Sequence, residues 1–331
     1  MKSIIQVAVV GSTLACHALP EVVNVKVEPV SPWGKAYVTF GINEDFETYD
    51  TTVAIMAHLV ASNRQTHVVY EHVCKMDSLA RENNHVLWDM KDSKRCFPMS
   101  ELDFKVRLET WVQLWADGPY WAECNVGAQT PEDAGYSFWW GDTIGYRKND
   151  AGKWVASDMS SVDFVFSEST VITYGKDYDA LISLGAVRRM SAIRSDVSPL
   201  FPDFDAATVH LGGESRMPTR SDMAALINNC SWTWASQNAC QGYRVTGKDA
   251  YSANSIFLPI TQGEKGYYWT SDVAWKSFYS YSSNVENFTD YSHALSFDIT
   301  NKAVSNIGRD GQSPALRLNA YSIRAILDLE K

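Results

Sequence analysis

The sequence predicts two domains, an N-terminal all-β sandwich followed by a C-terminal α+β domain with much irregular structure. The chain has 331 residues, which is more than one typical domain contains. Residues 20–110 alternate apolar and polar side chains over short runs, a pattern typical of strands. Residues 219–230, in contrast, combine a helix start signal with an apolar stripe of helical period.

The first 18 residues have the composition of a secretory signal peptide. Lys2 supplies a positive start, residues 4–15 are mostly apolar, and small side chains at Cys16 and Ala18 suit cleavage after Ala18. A buried N-terminal strand or helix is one alternative. A lipid anchor through Cys16 is another, although Thr13 stands where such motifs usually carry Leu. We expect export, which places the protein outside the cell or at the cell surface.

Residues 19–110 carry the pattern of a β-sandwich module. Val23, Val25 and Val27 alternate with polar residues, and turn-rich segments separate the runs that follow. These runs cover residues 37–42, 52–58, 67–73, 85–89 and 102–109. About six short strands favour a sandwich of the immunoglobulin or fibronectin type III kind, with Trp88 as a core anchor.

Residues 219–230 carry the clearest helix signal. Thr219 is suited to the N-cap, and the charge of Asp222 at the third helical position favours the helix N-terminus. Met223, Leu226, Ile227 and Cys230 fall on one apolar stripe. We expect this helix to end near residues 228–229.

The C-terminal domain is expected to cover residues 112–331. Its middle, residues 142–205, is rich in loop residues, and residues 148–153 have the composition of a hairpin tip. Strand periodicity returns at residues 294–299 and 315–327. The sequence therefore predicts an α+β domain with few regular elements.

Composition and motifs exclude several classes of function. The net charge is −10 and Lys and Arg do not cluster, so we expect no nucleic-acid partner. No segment after the leader has the ~20 apolar residues that a membrane span needs. Phosphate-binding loops, zinc-binding helices and serine-nucleophile motifs are absent from the sequence. We therefore predict no catalytic residues, no metal ligands and no cofactor, with His210 and His293 as structural or merely exposed side chains.

Five of the six cysteines lie beyond the leader. Cys74 and Cys96 belong to the N-terminal region, whereas Cys124, Cys230 and Cys240 belong to the C-terminal one. Export to an oxidising compartment favours one bridge within each region, with one thiol left over. The spacing leaves the connectivity open.

Aromatic residues are the remaining functional signal, with 12 Trp and 16 Tyr in the chain. Flat rings can stack on the C–H faces of sugars, but large rings also fill cores. Trp232 and Trp234 share one face of a strand, which we expect to point inward. The residues that we assign to ligand binding are Trp139, Trp140, Trp275, Tyr279 and Tyr281, of which the last three lie in a run flanked by polar loop residues.

Several segments of the C-terminal region resemble one family in order and spacing. These segments are residues 120–128, 131–143, 213–219, 230–234, 242–247, 254–259, 266–271 and 322–326. They resemble the Fibrobacter succinogenes major paralogous domain of secreted and surface proteins from gut and rumen bacteria, over roughly residues 112–327. That family is related to C-type lectin-like and formylglycine-generating-enzyme folds, and residues 216–219 carry the helix start shared with the latter. Residues 20–110 resemble, more loosely, the β-sandwich modules that precede such domains.

The resemblance implies a C-type lectin-like fold for the C-terminal domain and a Cys124–Cys230 disulfide, with Cys230–Cys240 as second choice. It also implies an exported, non-catalytic binding or adhesion protein, which we expect to recognise a glycan or another surface polymer. One alternative is an enzyme on the formylglycine-generating-enzyme fold, but no cysteine follows Cys240 to complete the thiol pair of those enzymes. The other alternative is a structural or adhesive surface protein that binds another protein.

Overall fold

The computed structural model describes residues 19–31, 35–46, 51–65, 69–89, 99–149, 151–152, 154–157, 199–212, 214–273, 291–300, 304–307, 315–316 and 319–328. Within them the chain forms 18 strands and two α-helices. The strands are β1 (Val22–Ser31), β2 (Lys35–Ile42), β3 (Val53–Asn63), β4 (Val69–Met76), β5 (Asn84–Asp89), β6 (Leu102–Gln113), β7 (Tyr120–Asn125), β8 (Tyr146–Lys148), β9 (Trp154–Ala156), β10 (Ser215–Arg216), β11 (Ser231–Gln237), β12 (Cys240–Thr246), β13 (Ser255–Pro259), β14 (Lys265–Val273), β15 (Tyr291–Asp298), β16 (Val304–Ile307), β17 (Ala315–Leu316) and β18 (Arg324–Leu327). The helices are α1 (Ala206–Leu211) and α2 (Arg220–Asn229).

The C-terminal half is mainly β, so the prediction of an α+β, C-type lectin-like domain is wrong. From residue 120 onward the described residues form 12 strands, whereas the two helices have only six and ten residues. The helix predicted at residues 219–230 does form, but it does not make the rest of this half helical. Elsewhere in this half, apolar residues are buried by short antiparallel strands, whose two-residue period is hard to recognise in short runs.

The first five strands and β6 form two sheets that face each other. Strands β1, β2 and β5 make a three-stranded sheet in the order β1-β2-β5, and β4, β3 and β6 lie side by side in a second sheet. Ala36, Val38 and Phe40 of β2 are at most 1% exposed and pack against Ala57 and Leu59 of β3. The alternation of apolar and polar residues along β2 therefore directs every second side chain into this core.

The second sheet continues beyond residue 111, the predicted domain boundary. Its order is β10-β18-β7-β6-β3-β4, and β6 pairs with β7, which in turn pairs with β18. Trp121 of β7 lies opposite Ile326 of β18, and both are fully buried. The opposite face of β3 and β6 packs on α1 and the loops that follow β7. One hydrogen-bonded sheet thus connects the two halves of the chain.

Helix α2 begins as the sequence predicts. The Thr219 hydroxyl accepts a hydrogen bond from the Asp222 amide at 3.1 Å, and the Asp222 carboxylate accepts one from the Thr219 amide at 2.8 Å. Arg216 donates to the same carboxylate at 2.8 Å and makes a bidentate pair with Asp328 at 2.6 and 2.7 Å. The guanidinium therefore ties the start of α2 to the residue that follows β18. Met223 and Leu226 are buried, which confirms the apolar stripe.

The remaining strands form three further sheets. The order β11-β12-β13 makes one, β14-β15-β16 with β17 beside β15 makes another, and β8 with β9 forms a hairpin around the predicted tip at residues 148–153. In the described part of the chain, no helix has both the length and the apolar character needed to cross a membrane. The predicted signal peptide, residues 1–18, lies outside the described residues.

The predicted Cys124–Cys230 disulfide is not formed. Cys74, Cys124, Cys230 and Cys240 are all free thiols, so Cys230–Cys240 is not formed either, and Cys96 lies outside the described residues. Burial raises the pKa of Cys124 and of Cys230 to about 12. The two residues occupy different surroundings, since Cys124 lies beside charged groups on the six-stranded sheet and Cys230 lies in the core under α2.

Candidate functional site

Among the described residues, exposed aromatic, apolar and polar side chains come together on the outer face of the β1-β2-β5 sheet. Because Ala36, Val38 and Phe40 point into the core, the residues between them point away from it. The outer face consists of Lys26, Glu28, Val30, Ser31, Lys35, Tyr37, Thr39, His85, Leu87 and Asp89. Four of the five large apolar side chains that are exposed among the described residues lie on these three strands.

Tyr37 occupies the centre of the outer face. Strand register places it opposite Glu28 of β1 on one side and Leu87 of β5 on the other, and these three residues form the central row. The exposed fractions are 47% for Tyr37 and 46% for Leu87, while Val30, two residues after Glu28, is 50% exposed. The central row therefore presents a tyrosine ring between an aliphatic and an acidic side chain.

Two flanking rows of polar side chains border the central row. On one side Lys26, Thr39 and His85 lie opposite one another, and the Thr39 hydroxyl is 3.1 Å from Nδ1 of His85.

On the other side Ser31, Lys35 and Asp89 lie opposite one another, and Lys35 Nζ donates to Asp89 at 3.1 Å. Both flanking rows therefore offer donors and acceptors along the edges of the central row. A ring that stacks on Tyr37 would find hydrogen-bonding groups on two sides.

The structure places the aromatic residues assigned from the sequence away from this face. Trp139 and Trp140 are buried, at 4% and 2% exposure, and the Trp140 indole donates to the Thr270 carbonyl at 2.8 Å. Both rings fill the core, so neither offers a face to a ligand. Trp275, Tyr279 and Tyr281 lie outside the described residues.

Trp232 and Trp234 lie on one side of β11, as predicted, and are only partly buried. Each ring meets Tyr243 edge-to-face, with centroids 5.4 and 5.1 Å apart. Both rings pack against the core that α2 covers, which leaves them less exposed than Tyr37.

A second cluster of functional groups is buried on the far side of the six-stranded sheet. His58 of β3 has Nδ1 3.1 Å from a Glu109 oxygen and Nε2 3.4 Å from a Glu71 oxygen. Arg107 approaches His58 Nδ1 at 2.9 Å and Glu109 at 3.4 Å, while the Trp111 indole donates to Glu109 at 2.7 Å. Two carboxylates and two basic groups therefore share one buried site.

Charge balance accounts for the ionisation of this cluster. Arg107 offsets only one of the two carboxylates, so a protonated His58 is needed to offset the other. Burial alone would lower the pKa of His58, but Glu109 and Glu71 together outweigh burial and raise it to about 9. Burial likewise acts to raise the pKa of Glu71, yet His58 lowers it overall. His58, Glu71 and Glu109 are almost fully enclosed, and the cluster joins β3, β4 and β6 through their side chains.

Of the two histidines considered as bases in the sequence, His210 is half-buried and His293 is buried. His210 of α1 packs against the rings of Tyr136 and Phe138, and its Nε2 lies 2.9 Å from the Thr143 carbonyl. Burial lowers the pKa of His210. His293 is 6% exposed. Among the described side chains, no three His, Cys, Asp or Glu groups are arranged to hold a metal ion.

The outer face is not evident from the sequence, because its aromatic residue, Tyr37, does not belong to a cluster of aromatic residues along the chain. The sequence does carry one indication of this face. Trp88 and the apolar residues that alternate with polar ones in β5 point into the core, so the residues between them must point outward. Together with Val30 and Leu87, the outward Tyr37 gives this face an exposed apolar patch that can be recognised once the inward set is known.

Comparison with known proteins identifies no relative of this chain. No protein-family model matches the chain, and neither the curated proteins nor the solved structures contain a match. The resemblance to the Fibrobacter succinogenes major paralogous domain therefore stays a prediction. The functional argument rests on the geometry of the outer face.

Proposed function

We propose that this chain is an exported, non-catalytic binding protein that recognises a glycan or another surface polymer through the outer face. The observation that carries the proposal is the tyrosine ring of Tyr37, 47% exposed at the centre of a sheet face and bordered by polar rows. Aromatic rings bind sugars through their flat faces, while neighbouring hydroxyl, amine and carboxylate groups hydrogen-bond the sugar hydroxyls.

The burial of the carboxylates paired with His58 supports a binding role over a catalytic one. The carboxylates that could act as acid and base, Glu71 and Glu109, are enclosed and charge-paired with His58. A glycosidase needs two carboxyl groups that flank a substrate bond in an open site. The outer face holds hydrogen-bonding groups but no buried, activated nucleophile or base of that kind.

A protein ligand is the second candidate, because Val30 and Leu87 add exposed apolar surface to the face. Exposed apolar side chains rimmed by polar ones mark protein-binding surfaces as well as ligand grooves. The two candidates share the same residues and differ in the partner.

A glycan array, run with and without EDTA, separates these functions. The proposal predicts glycan binding that survives EDTA, is lost in Tyr37→Ala and is retained in Tyr37→Phe, which keeps the ring. Phe201→Ala is the matched control, since Phe201 is 57% exposed on a different surface.

Trp275→Ala and Tyr279→Ala test the site assigned from the sequence in the same array. Loss of binding in these variants, with Tyr37→Ala unaffected, would move the site away from the outer face. Binding to no glycan at all would favour the protein ligand, and turnover of a glycoside would overturn both.

A further inference from the structure

We propose that β5 is a docking edge for a second copy of this chain, which pairs its own β5 antiparallel to the first with the two Leu87 residues opposite each other. A two-fold axis perpendicular to the sheet would relate the copies and join two three-stranded sheets into one of six strands. The pairing uses the edge of the sheet and needs no ligand on the outer face, so it holds or fails independently of the proposed function. Both copies of Tyr37 would lie on one shared outer face.

The two edges of the β1-β2-β5 sheet differ in how they are protected against pairing with another strand. The β1 edge carries Pro29 and Lys26, and its pairing with β2 is interrupted by two shifts of register. Proline, lysine and irregular pairing are the features with which proteins block exposed sheet edges. Strand β5, in contrast, contains no Pro, Gly or Lys and pairs with β2 without a shift. Among the described residues no strand pairs with the other side of β5, which is therefore the edge suited to a further strand.

The core fixes β5 in its extended conformation. The Trp88 indole is 2% exposed, the ring of His72 stacks on it with centroids 6.1 Å apart, and Phe104 meets it edge-to-face at 5.9 Å. Val86, the other apolar residue on the inward side, is buried as well. Because these contacts already hold the strand, pairing with a second copy costs little conformational entropy in the backbone.

The backbone of β5 directs its odd-numbered residues to the open edge. At the end of β2, Ile42 donates its amide to the Arg81 carbonyl on the β5 side, whereas Asn43 donates to the Glu21 carbonyl on the β1 side, both at 3.0 Å. Since successive residues of a strand point their backbone groups to opposite sides, the even-numbered residues of β2 face β5, where their partners are also even-numbered. Leu87 therefore directs its N–H and C=O away from β2, so two copies of Leu87 can exchange both hydrogen bonds.

The outward side chains of β5 complement one another in this register. Antiparallel pairing about Leu87 places the partner's Asp89 opposite His85 and the partner's His85 opposite Asp89, on the same face of the sheet. Nδ1 of His85 is 3.1 Å from the Thr39 hydroxyl, so Nε2 is the atom that would donate to the carboxylate. At the centre two leucine side chains, each 46% exposed in the single chain, would cover each other.

Neighbouring registers lose this complementarity. A two-fold axis at Val86 would place Leu87 opposite the partner's His85, and an axis at Trp88 would place Leu87 opposite the partner's Asp89. In both cases an apolar side chain lies beside a polar or charged one, and the pairing of imidazole with carboxylate is lost. The side chains of β5 therefore select the register with Leu87 at the axis.

Sedimentation equilibrium of the full chain, without any ligand, tests the pairing. The contact is made by one six-residue strand from each copy, so we expect a weak dimer with a Kd of about 10–100 µM. Leu87→Lys places like charges opposite each other at the axis and should raise the Kd at least about tenfold. Val30→Lys is the matched control, since Val30 is 50% exposed on the same face but on β1, and its Kd should stay within about twofold of the wild type. Unchanged melting curves show that each variant is folded.

Two charge variants test the register, because a two-fold axis makes their mixture differ from either one alone. His85→Glu sets two carboxylates against each other in both outer rows of its dimer, and Asp89→Lys sets an ammonium against an imidazole in both. A dimer of one copy of each variant has one new carboxylate–ammonium row and one native row. We expect the mixture to associate at least about tenfold more tightly than His85→Glu alone.

Three results would overturn the inference. The first is a wild type that stays monomeric up to about 1 mM, a concentration well above the expected Kd. The second is a dimer that Leu87→Lys and Val30→Lys leave equally intact or weaken equally, which would place the contact elsewhere. The third is a mixture of the two charge variants that associates no better than His85→Glu alone, which would exclude the register about Leu87.

Discussion

Replacing His58 with Gln should destabilise the protein by removing one positive charge from a buried, charge-balanced cluster. His58 lies within 3.1 Å of Glu109 and 3.4 Å of Glu71, and both its ring and the carboxylates are nearly enclosed. Gln keeps a similar shape and can still donate a hydrogen bond, but it cannot carry the charge. One carboxylate is then left buried without a compensating cation.

The raised pKa of His58 gives the size and pH dependence of this effect. A histidine pKa of 6.5 in the unfolded chain and about 9 in the folded chain corresponds to about 3 kcal/mol of stabilisation. Because the folded pKa is the higher one, this contribution is fully present below pH 6.5 and is lost as the pH rises through about 9. Removing one partner of a buried pair typically costs about 3–5 kcal/mol, which agrees with this value.

Urea unfolding of the wild type and His58→Gln at pH 6 and pH 10 measures both quantities. We expect the variant to be less stable by about 3 kcal/mol at pH 6, and the difference to shrink to less than about 1 kcal/mol at pH 10. His85→Gln is the matched control, since His85 is exposed, and it should stay within about 0.5 kcal/mol of the wild type. A difference that is the same at both pH values would refute the assignment of a charged His58.

Two further predictions concern the scaffold. Arg216→Ala should lower the free energy of unfolding, measured in urea, by about 1.5–3 kcal/mol, because it removes charged hydrogen bonds to Asp222 and Asp328. A change below about 0.5 kcal/mol would contradict the role of Arg216 in holding α2 to the residue that follows β18. Peptide mapping of protein alkylated under denaturing, non-reducing conditions should recover Cys124 and Cys230 as modified free thiols, and recovery of a peptide joined through both would contradict the free thiols.

Much of the local structure could be predicted from the sequence, because local patterns determine it. The alternating runs at residues 37–42, 85–89 and 102–109 coincide with β2, β5 and β6. The capping residues of α2 act as expected, with Thr219 and Asp222 bonded to each other's amides. In these elements the periodicity of the side chains and the chemistry of the cap are both contained within a few residues.

The long-range pairings could not be predicted in the same way. Nothing local to Trp121 indicates that it will lie opposite Ile326, some 200 residues away, so the sheet that joins the two halves was missed. Burial of Trp140 likewise depends on distant partners such as Thr270. The candidate site also depends on long-range packing. The exposure of Tyr37 becomes evident only when it is known which face of its sheet packs against the core.

The most direct test of the outer face as the binding site is hydroxyl-radical footprinting with a polysaccharide selected on the array. The account predicts that bound polysaccharide lowers the oxidation of Tyr37 and Leu87 several-fold, while Phe201, exposed elsewhere, is oxidised as before. Undiminished oxidation of Tyr37, with protection at Trp275 or Tyr279 instead, would contradict it.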